Sequence, residues 1–229
     1  MISSKYLICK YIDIMKTILF HGPSGSGKDT QVELLVQKYE FENIGTGEMF
    51  RRMYKDADIE SIKAYQYWSK GHFVPNELTY SMLNRWVRRF DISKSWAFVS
   101  VVRDAGQIPL FDELLKNSGR HLDAVVHFTL SQEKAIERMS LRKICPYCDA
   151  TYHQIYKPES VSGYCDKCGT KLIQREDDQP EKIKLRLKEY ENTIVPIVQE
   201  YSKRGILIEI DASPSIEEIH RELIAKLGL

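Results

Sequence analysis

The chain has 229 residues, of which 43% are hydrophobic and 28% are charged, and its formal net charge is +1. A chain of this length can bury a core without disulfide help, and its composition excludes a disordered protein, a collagen and a disulfide miniprotein. The near balance of basic and acidic residues excludes a global basic field for nucleic acid, and no apolar run is long enough to cross a bilayer.

Residues 1–15 are interpreted as an N-terminal extension, because the first strand pattern begins only near residue 16. Lys5, Lys10 and Asp13 interrupt this segment, whereas a signal peptide needs an uninterrupted apolar stretch. We therefore expect a cytoplasmic protein. We also expect a monomer with neither a membrane nor a nucleic acid as partner, and we expect the isolated Cys9 to be an incidental thiol.

Short β-rich runs alternate along the chain with longer runs of helical periodicity. Strands are predicted at residues 16–21, 41–44, 96–101, 124–129 and 206–210. Helices are predicted near residues 28–39, 47–55, 59–70, 76–90, 107–117, 131–142, 180–203 and 215–227. This alternation predicts a three-layer α/β fold, in which helices cover both faces of a parallel five-stranded sheet. Residues 143–178 are rich in Cys, Tyr, Gly and Pro, and are predicted to form a small inserted subdomain.

Residues 22–30 read GPSGSGKDT and lie between a predicted strand and a predicted helix. A phosphate-binding loop requires this context, because the glycines turn backbone N–H groups inward and the helix presents its positive N-terminus to the anion. Lys28 adds a full charge for the β- and γ-phosphates, and Thr30 offers a hydroxyl to phosphate or to the Mg²⁺ shell. Asp29 departs from the general pattern by separating the lysine from the threonine. The alternative is a glycine-rich turn with a chance lysine, which the strand–loop–helix context disfavours.

The loop with its following glutamine, GPSGSGKDTQ, resembles that of adenylate kinases, a family of nucleoside monophosphate kinases. IGTGEMFR at 44–51, GHFVPNEL at 71–78 and REDDQPEKIKLR at 175–186 resemble further segments of that family. The resemblance covers residues 16–229. It implies a phosphate-loop core of residues 16–44, 75–140 and 179–229, an AMP-binding segment at 45–74 and a lid at 141–178. It also implies the reversible reaction ATP + AMP = 2 ADP, assisted by Mg²⁺.

Carried over position by position, the resemblance implies a set of residues for each nucleotide. The ATP-binding residues would be Gly25, Ser26, Gly27, Lys28, Asp29, Thr30, Arg138, Arg142, Thr151, Tyr152 and Pro214. The AMP-binding residues would be Thr46, Arg51, His72, Phe73, Val74, Ser100, Arg103, Gln107, Arg175 and Arg186. The catalytic residues would be Lys28, Arg103, Arg138, Arg142, Arg175 and Arg186. Phosphoryl transfer depends on alignment and charge neutralisation rather than on covalent chemistry, which is why such a clamp of cations suits it.

The sequence departs from the family at residues 99–103, which read VSVVR where the family has D-G-F-P-R. In the family the missing aspartate organises the Mg²⁺ water shell, and Asp104, Asp177 and Asp178 are candidates to replace it. Ser100 replaces the glycine that lets AMP approach the backbone, so the acceptor pocket is expected to be reshaped. We favour an adenylate kinase because the arginines are retained. The alternatives are a kinase for UMP or CMP, and a weakly catalytic nucleotide-binding or RNA-binding zinc protein.

Four of the five cysteines form two pairs, CPYC at 145–148 and CDKC at 165–168. This spacing is typical of a four-thiolate zinc site, which has no open position for catalysis. Disulfides are the alternative, and a cytoplasmic chain disfavours them. We therefore predict a structural Zn²⁺ in the lid, bound by Cys145, Cys148, Cys165 and Cys168. His153 lies in the family-like TYH segment and is expected to contact nucleotide instead.

Overall fold

The computed structural model describes residues 15–70, 72–175 and 178–229, so Cys9, Gly71, Asp177 and the predicted extension up to residue 14 lie outside the described residues. The strands are β1 (Thr17–His21), β2 (Glu42–Gly45), β3 (Trp96–Val99), β4 (Ala124–Thr129), β5 (Arg142–Ile144), β6 (Thr151–His153) and β7 (Leu207–Asp211). The helices are α1 (Lys28–Tyr39), α2 (Thr46–Lys55), α3 (Ile59–Trp68), α4 (Asn76–Trp86), α5 (Gln107–Asn117), α6 (Gln132–Ser140), α7 (Pro180–Lys203) and α8 (Ile216–Leu227). A 3₁₀ turn at Val87–Arg89 continues α4.

Five strands form a parallel sheet in the order β2-β3-β1-β4-β7. Successive residues of β1 point to opposite faces of this sheet. Ile18 and Phe20 pack into the cluster beneath α1 and α8, whereas Leu19 packs into the cluster that contains α2, α4 and α5. The predicted five-stranded parallel sheet with helices on both faces is therefore confirmed. The carboxyl ends of the strands meet at one edge, which is where open α/β sheets bind ligands.

Local chemistry determines where individual elements end. The strand predicted to reach residue 101 ends at Val99, because Ser100 takes a left-handed backbone conformation with φ of 53°. The helix predicted over 131–142 begins after Ser131, whose side chain accepts a hydrogen bond from the Lys134 N–H. That helix ends at Ser140, two residues before the start of β5.

Between α6 and α7 the chain leaves the core and forms a small subdomain. Its β5–β6 hairpin is antiparallel, and bridges join Ile144 to Ile173 and Tyr164 to Lys171. Both strands are three residues long, too short for a sequence pattern to predict. The division of the chain into core, AMP-binding segment and lid stays a prediction. No helix among the described residues is long and apolar enough to span a membrane.

Candidate active site

A cavity of about 570 Å³ opens at the carboxyl edge of the sheet, between the phosphate loop, α2 and the inserted subdomain. Most of the predicted nucleotide-site residues line it. They are Gly25, Ser26, Gly27, Lys28, Asp29, Thr30, Arg51, Phe73, Ser100, Arg103, Arg138, Arg142, Thr151, Tyr152, Arg175, Arg186 and Pro214. Thr46, His72, Val74 and Gln107 are not among the residues that line this cavity. Residues separated by up to 189 positions along the chain therefore converge on one space.

The phosphate loop closes tightly because two of its glycines have no room for a side chain. A Cβ on Gly22 would lie 2.8 Å from the carbonyl oxygen of Phe128, and one on Gly25 would lie 2.9 Å from that of Ala135. Gly25 also has a φ of +85°, which side chains rarely allow. The loop therefore packs against β4 and α6 and leads into the N-terminus of α1, where backbone N–H groups can bind an anion.

Lys28 is almost fully buried at the base of the cavity. Its ammonium donates to the carbonyl of Pro23 at 3.3 Å and lies 4.0 Å from the Asp29 carboxylate. Burial, together with the charges of Arg103, Arg186 and Arg142, lowers the pKa of Lys28 to about 8 against the opposing effect of Asp29. A phosphate in this cavity would add negative charge to a site that these cations line.

One buried carboxylate orients two arginines of the cavity. Asp178 accepts two hydrogen bonds from Arg142, at 2.7 and 2.6 Å, and one from Arg186 at 3.2 Å. Arg186 also donates to the Ser24 hydroxyl of the phosphate loop at 2.8 Å. Because both oxygens of Asp178 accept hydrogen bonds from arginine, this residue holds the two arginines in position. Its orienting role could not be predicted from the short motif around it.

Arg138 approaches the phosphate loop from α6. Its guanidinium donates to the carbonyl of Gly25 at 3.4 Å and lies 5.0 Å from the ring centre of Tyr156. His153 lines the cavity beside them, and its Nδ1 accepts hydrogen bonds from the backbone N–H groups of Ile155 and Tyr156. Burial and the charge of Arg138 lower the pKa of His153. The His153 ring is therefore neutral at pH 7 and shapes the turn that carries Tyr156, a residue that sequence reasoning missed.

Arg103 follows β3 on the other side of the cavity. Its Nε donates to the carbonyl of Ser100 at 3.1 Å, and its guanidinium lies 5.6 Å from the ring centre of Phe73. The Ser100 carbonyl also accepts from the Thr46 hydroxyl at 3.1 Å. Thr46 therefore stabilises the turn at Ser100, although it does not itself line the cavity.

The three other predicted AMP residues outside the cavity also have protein partners. The amide of Gln107 accepts from the Arg103 backbone N–H at 2.6 Å and donates to Asn76 at 2.7 Å. The carbonyl of Val74 accepts from Thr79 at 3.3 Å, and His72 lies 3.8 Å from the carboxylate of Glu189. These contacts connect the walls of the acceptor region to α4, α5 and α7.

The inserted subdomain contacts both walls of the cavity through ion pairs. On one side Lys157 and Lys167 pair with Glu33 of α1, and the Lys167 ammonium lies 2.9 Å from the Glu33 carboxylate. On the other side Asp149 lies 3.3 Å from Arg51 and 3.6 Å from Lys55, both in α2. The subdomain therefore covers the cavity like a lid with charged contacts on either side.

The four predicted zinc ligands come together inside this lid. Their sulfur atoms lie within 4.8 Å of one another, with Cys145 to Cys168 at 3.4 Å and Cys148 to Cys165 at 3.5 Å. A tetrahedron with Zn–S distances near 2.3 Å has edges of about 3.8 Å, so the cluster fits Zn²⁺ after small adjustments. Burial opposes ionisation of Cys165, but hydrogen bonds from Tyr152 and from backbone N–H groups outweigh it and lower its pKa to about 6. Because their four sulfur atoms lie this close together, the cysteines can hold a zinc ion.

Val99 occupies the position at which the family has an aspartate. Its side chain packs in the apolar cluster around Ile18 and Phe20. Asp104 does not line the cavity, and it accepts a hydrogen bond from Asn76 at 3.3 Å. Asp29 and Glu48 do line it. Burial raises the pKa of Glu48, whereas the charges of Lys28, Arg142 and two further arginines overcome burial and lower the pKa of Asp29. Together with the Thr30 hydroxyl, these carboxylates provide the oxygen donors that Mg²⁺ prefers.

Comparison with known proteins agrees with this geometry. The sequence profile described as Adenylate kinase matches residues 20–206. The adenylate kinase of Thermoanaerobacter sp. (strain X514) is 36% identical over 214 residues, covering 93% of this chain and 98% of the relative. The adenylate kinase of Carboxydothermus hydrogenoformans is 37% identical over 202 residues, covering 88% and 94%. The adenylate kinase of Archaeoglobus fulgidus is 33% identical over 210 residues, covering 92% and 97%.

These similarities extend over the phosphate loop, the arginines and the lid, and they do not depend on one short motif. The family supports phosphoryl transfer to nucleoside monophosphates, which is the chemistry that a cation-lined cavity beside a phosphate loop suits. The chain therefore belongs to the adenylate kinase family of enzymes.

Proposed function

We propose that the chain catalyses the reversible reaction ATP + AMP = 2 ADP, with Mg²⁺ bound to the triphosphate. The observation that carries this proposal is that Lys28 and six predicted arginines line one cavity beside the phosphate loop. Two nucleotides could lie there with their phosphates in line, and the phosphoryl group in transfer would lie between the cations. No side chain need form a covalent intermediate or act as a strong general base.

The donor ATP would occupy the phosphate-loop side. The loop N–H groups and Lys28 would bind its β- and γ-phosphates, and Arg138 would approach them from α6. Pro214 lines the same side and would meet the adenine. Asp29, Thr30 and Glu48 would hold the water shell of Mg²⁺, which when bound neutralises phosphate charge and supports an in-line geometry.

The acceptor AMP would occupy the side between α2, Phe73 and Arg103. Arg51, Arg103 and Arg175 would bind its phosphate, and Arg142 and Arg186, held by Asp178, would face the phosphoryl group in transfer. Preorganised donors of this kind stabilise charge that develops in the transition state, because they need no reorganisation during the reaction.

The lid would bind one Zn²⁺ in a structural role. Four thiolates leave the ion no open position, and the cluster of Cys145, Tyr152, Cys165 and Leu172 is too small to stabilise the lid by burial alone. A closed lid would exclude water from the transferring phosphoryl group, and so favour transfer to the acceptor over hydrolysis.

A second candidate function is a kinase for another nucleoside monophosphate. The supporting observation is Gln107, whose amide bonds to Arg103 and Asn76 and does not line the cavity. An acceptor base other than adenine would then meet a wall of different chemistry. The two candidates share the donor site and the transfer chemistry and differ only in the acceptor.

A product assay over AMP, GMP, CMP and UMP with ATP and Mg²⁺ tests both candidates. The proposal predicts that AMP gives two ADP per turnover and has the highest kcat/KM. Lys28→Ala should lose most of this activity while the circular dichroism spectrum stays that of the parent. Preference for CMP or UMP would favour the second candidate, and absence of transfer to all four acceptors would contradict the proposed function.

A further inference from the structure

The lid carries a carboxylate to the arginine that the sequence assigns to the acceptor phosphate. Asp149 lies two residues before β6, and its oxygens lie 3.3 Å from Nε of Arg51 and 3.6 Å from Nζ of Lys55. Arg51 and Lys55 are one helical turn apart on α2, so one carboxylate can reach both. Arg51 and Asp149 both line the cavity.

The backbone holds Asp149 in this position at a cost. Its φ is 59°, a left-handed conformation that non-glycine residues seldom take. The Asp149 N–H donates to the carbonyl of Cys145 at 3.0 Å, which fixes the residue inside the first cysteine turn. The carboxylate is therefore placed by the same turn that positions the cysteine ligands.

The surroundings make this carboxylate a competitor for cations. Glu48 lies near Arg51 and Asp149 and adds a second acidic group there. Arg175 adds a second positive group beside Arg51. Burial and Arg175 both lower the pKa of Arg51, so a nearby anion stabilises the charged form of this arginine. A phosphate monoester carries more charge than a carboxylate and would win this competition when it is bound.

We infer that Asp149 competes with the acceptor's phosphate for Arg51, and that Lys55 retains the carboxylate when the phosphate takes the arginine. Asp149 is thus a positioning residue for the acceptor site, and Lys55 acts on the acceptor only through it. The exchange keeps the lid attached to α2 while the acceptor binds. The inference rests on the proposed function for the identity of the acceptor.

The test is a double-mutant cycle on AMP affinity, measured by calorimetry without ATP at about 20 mM salt, where exposed charges are weakly screened. Asp149→Asn should lower the Kd for AMP by about two- to fivefold, because the pair is partly solvated, with side-chain exposures of 28% and 25%. Lys55→Met should raise the Kd by a similar factor, since Asp149 then has Arg51 as its partner. The double variant should match Asp149→Asn alone, and the differences should shrink at about 0.5 M salt.

Two controls separate competition from a structural role. Asp149→Gly removes the charge and the backbone strain, so it should match Asp149→Asn in AMP affinity while being more stable, with zinc content unchanged in both. Glu33→Gln loosens the opposite contact of the lid with Lys157 and Lys167 and should leave AMP affinity as in the parent. Unchanged or weaker AMP binding by Asp149→Asn would overturn the inference. A Lys55→Met effect that persists in the Asp149→Asn background would also overturn it.

Failure of the proposed function can be recognised separately. A parent chain that does not bind AMP would contradict that function, and the contact itself is then tested by hydrogen exchange in the nucleotide-free protein. Asp149→Asn should speed amide exchange in α2 relative to the parent, because it removes a contact that ties the lid to this helix. Identical exchange in the two proteins would overturn the inference whatever the acceptor is.

Discussion

Replacing Asp178 by asparagine tests whether one carboxylate orients the arginine clamp. The side chain of Asp178 is 0% exposed, and those of Arg142 and Arg186 are only 18% and 20% exposed. Asparagine keeps the shape of the residue but removes its charge and replaces one acceptor oxygen by a donor. Arg142 would then lose its bidentate carboxylate in a cavity that already holds several cations.

The expected cost follows from this burial. Removing one partner of a buried ion pair costs about 3–5 kcal/mol, because the other charge stays buried without compensation. The arginines retain some contact with solvent, so we expect about 3 kcal/mol. For a chain of this size that is a fall in Tm of about 6–12 °C. The kcat should fall at least tenfold, because Arg142 is no longer held in position.

Thermal melts with and without a bisubstrate nucleotide, two adenosines joined by five phosphates, provide the assay. The nucleotide should raise the Tm of Asp178→Asn more than that of the parent, since phosphates supply the missing negative charge. Asp104→Asn is the matched control, because Asp104 does not line the cavity, and it should change the stability by less than about 0.5 kcal/mol. An Asp178→Asn variant with the Tm and kcat of the parent would show that Asp178 does not orient the arginines.

Three further predictions concern the lysine, the strained turn and the zinc site. Burial lowers the pKa of Lys28 from 10.5 to about 8, so the unfolded chain binds more protons between these values. The stability of the parent relative to Lys28→Met should therefore rise by roughly 3 kcal/mol from pH 8 to 10.5 in denaturant titrations, and a flat difference would contradict the burial of the charge. Ser100→Gly should stabilise the chain by about 0.5–1 kcal/mol because it relieves the φ of 53°, whereas Ser100→Ala should not, and equal effects would exclude strain as the cause. Metal analysis should find one Zn²⁺ per chain. The double variant Cys145→Ser with Cys148→Ser should lose this ion and have a lower Tm, while nucleotide binding survives in part. Full heat stability of that variant would contradict a structural zinc.

The sequence predicted the architecture well because its signals are local. Alternation of β-rich and helical runs placed every strand of the large sheet to within two residues at each end. The errors at Val99 and Ser140 arise where one backbone conformation or the start of the β5–β6 hairpin ends an element. Such endings depend on single residues and not on periodicity.

The sequence predicted which residues belong to the site but not which of them contact one another. The phosphate loop and its cations could be assigned because their spacing along the chain is local. The orientation of Gln107 and the pairing of Asp149 with Arg51 depend on elements separated by tens of residues. Asp178 shows the same limit, because its partner Arg142 lies 36 residues earlier. A short motif therefore does not predict which buried carboxylate pairs with which arginine.

We expect one cavity to bind a nucleoside triphosphate and AMP side by side for direct transfer. Initial-rate inhibition by two adenosines joined by five phosphates tests it most directly, since that molecule spans both sites. Inhibition should be competitive with ATP and also competitive with AMP, at one inhibitor per chain. Inhibition that is competitive with ATP but noncompetitive with AMP would contradict it.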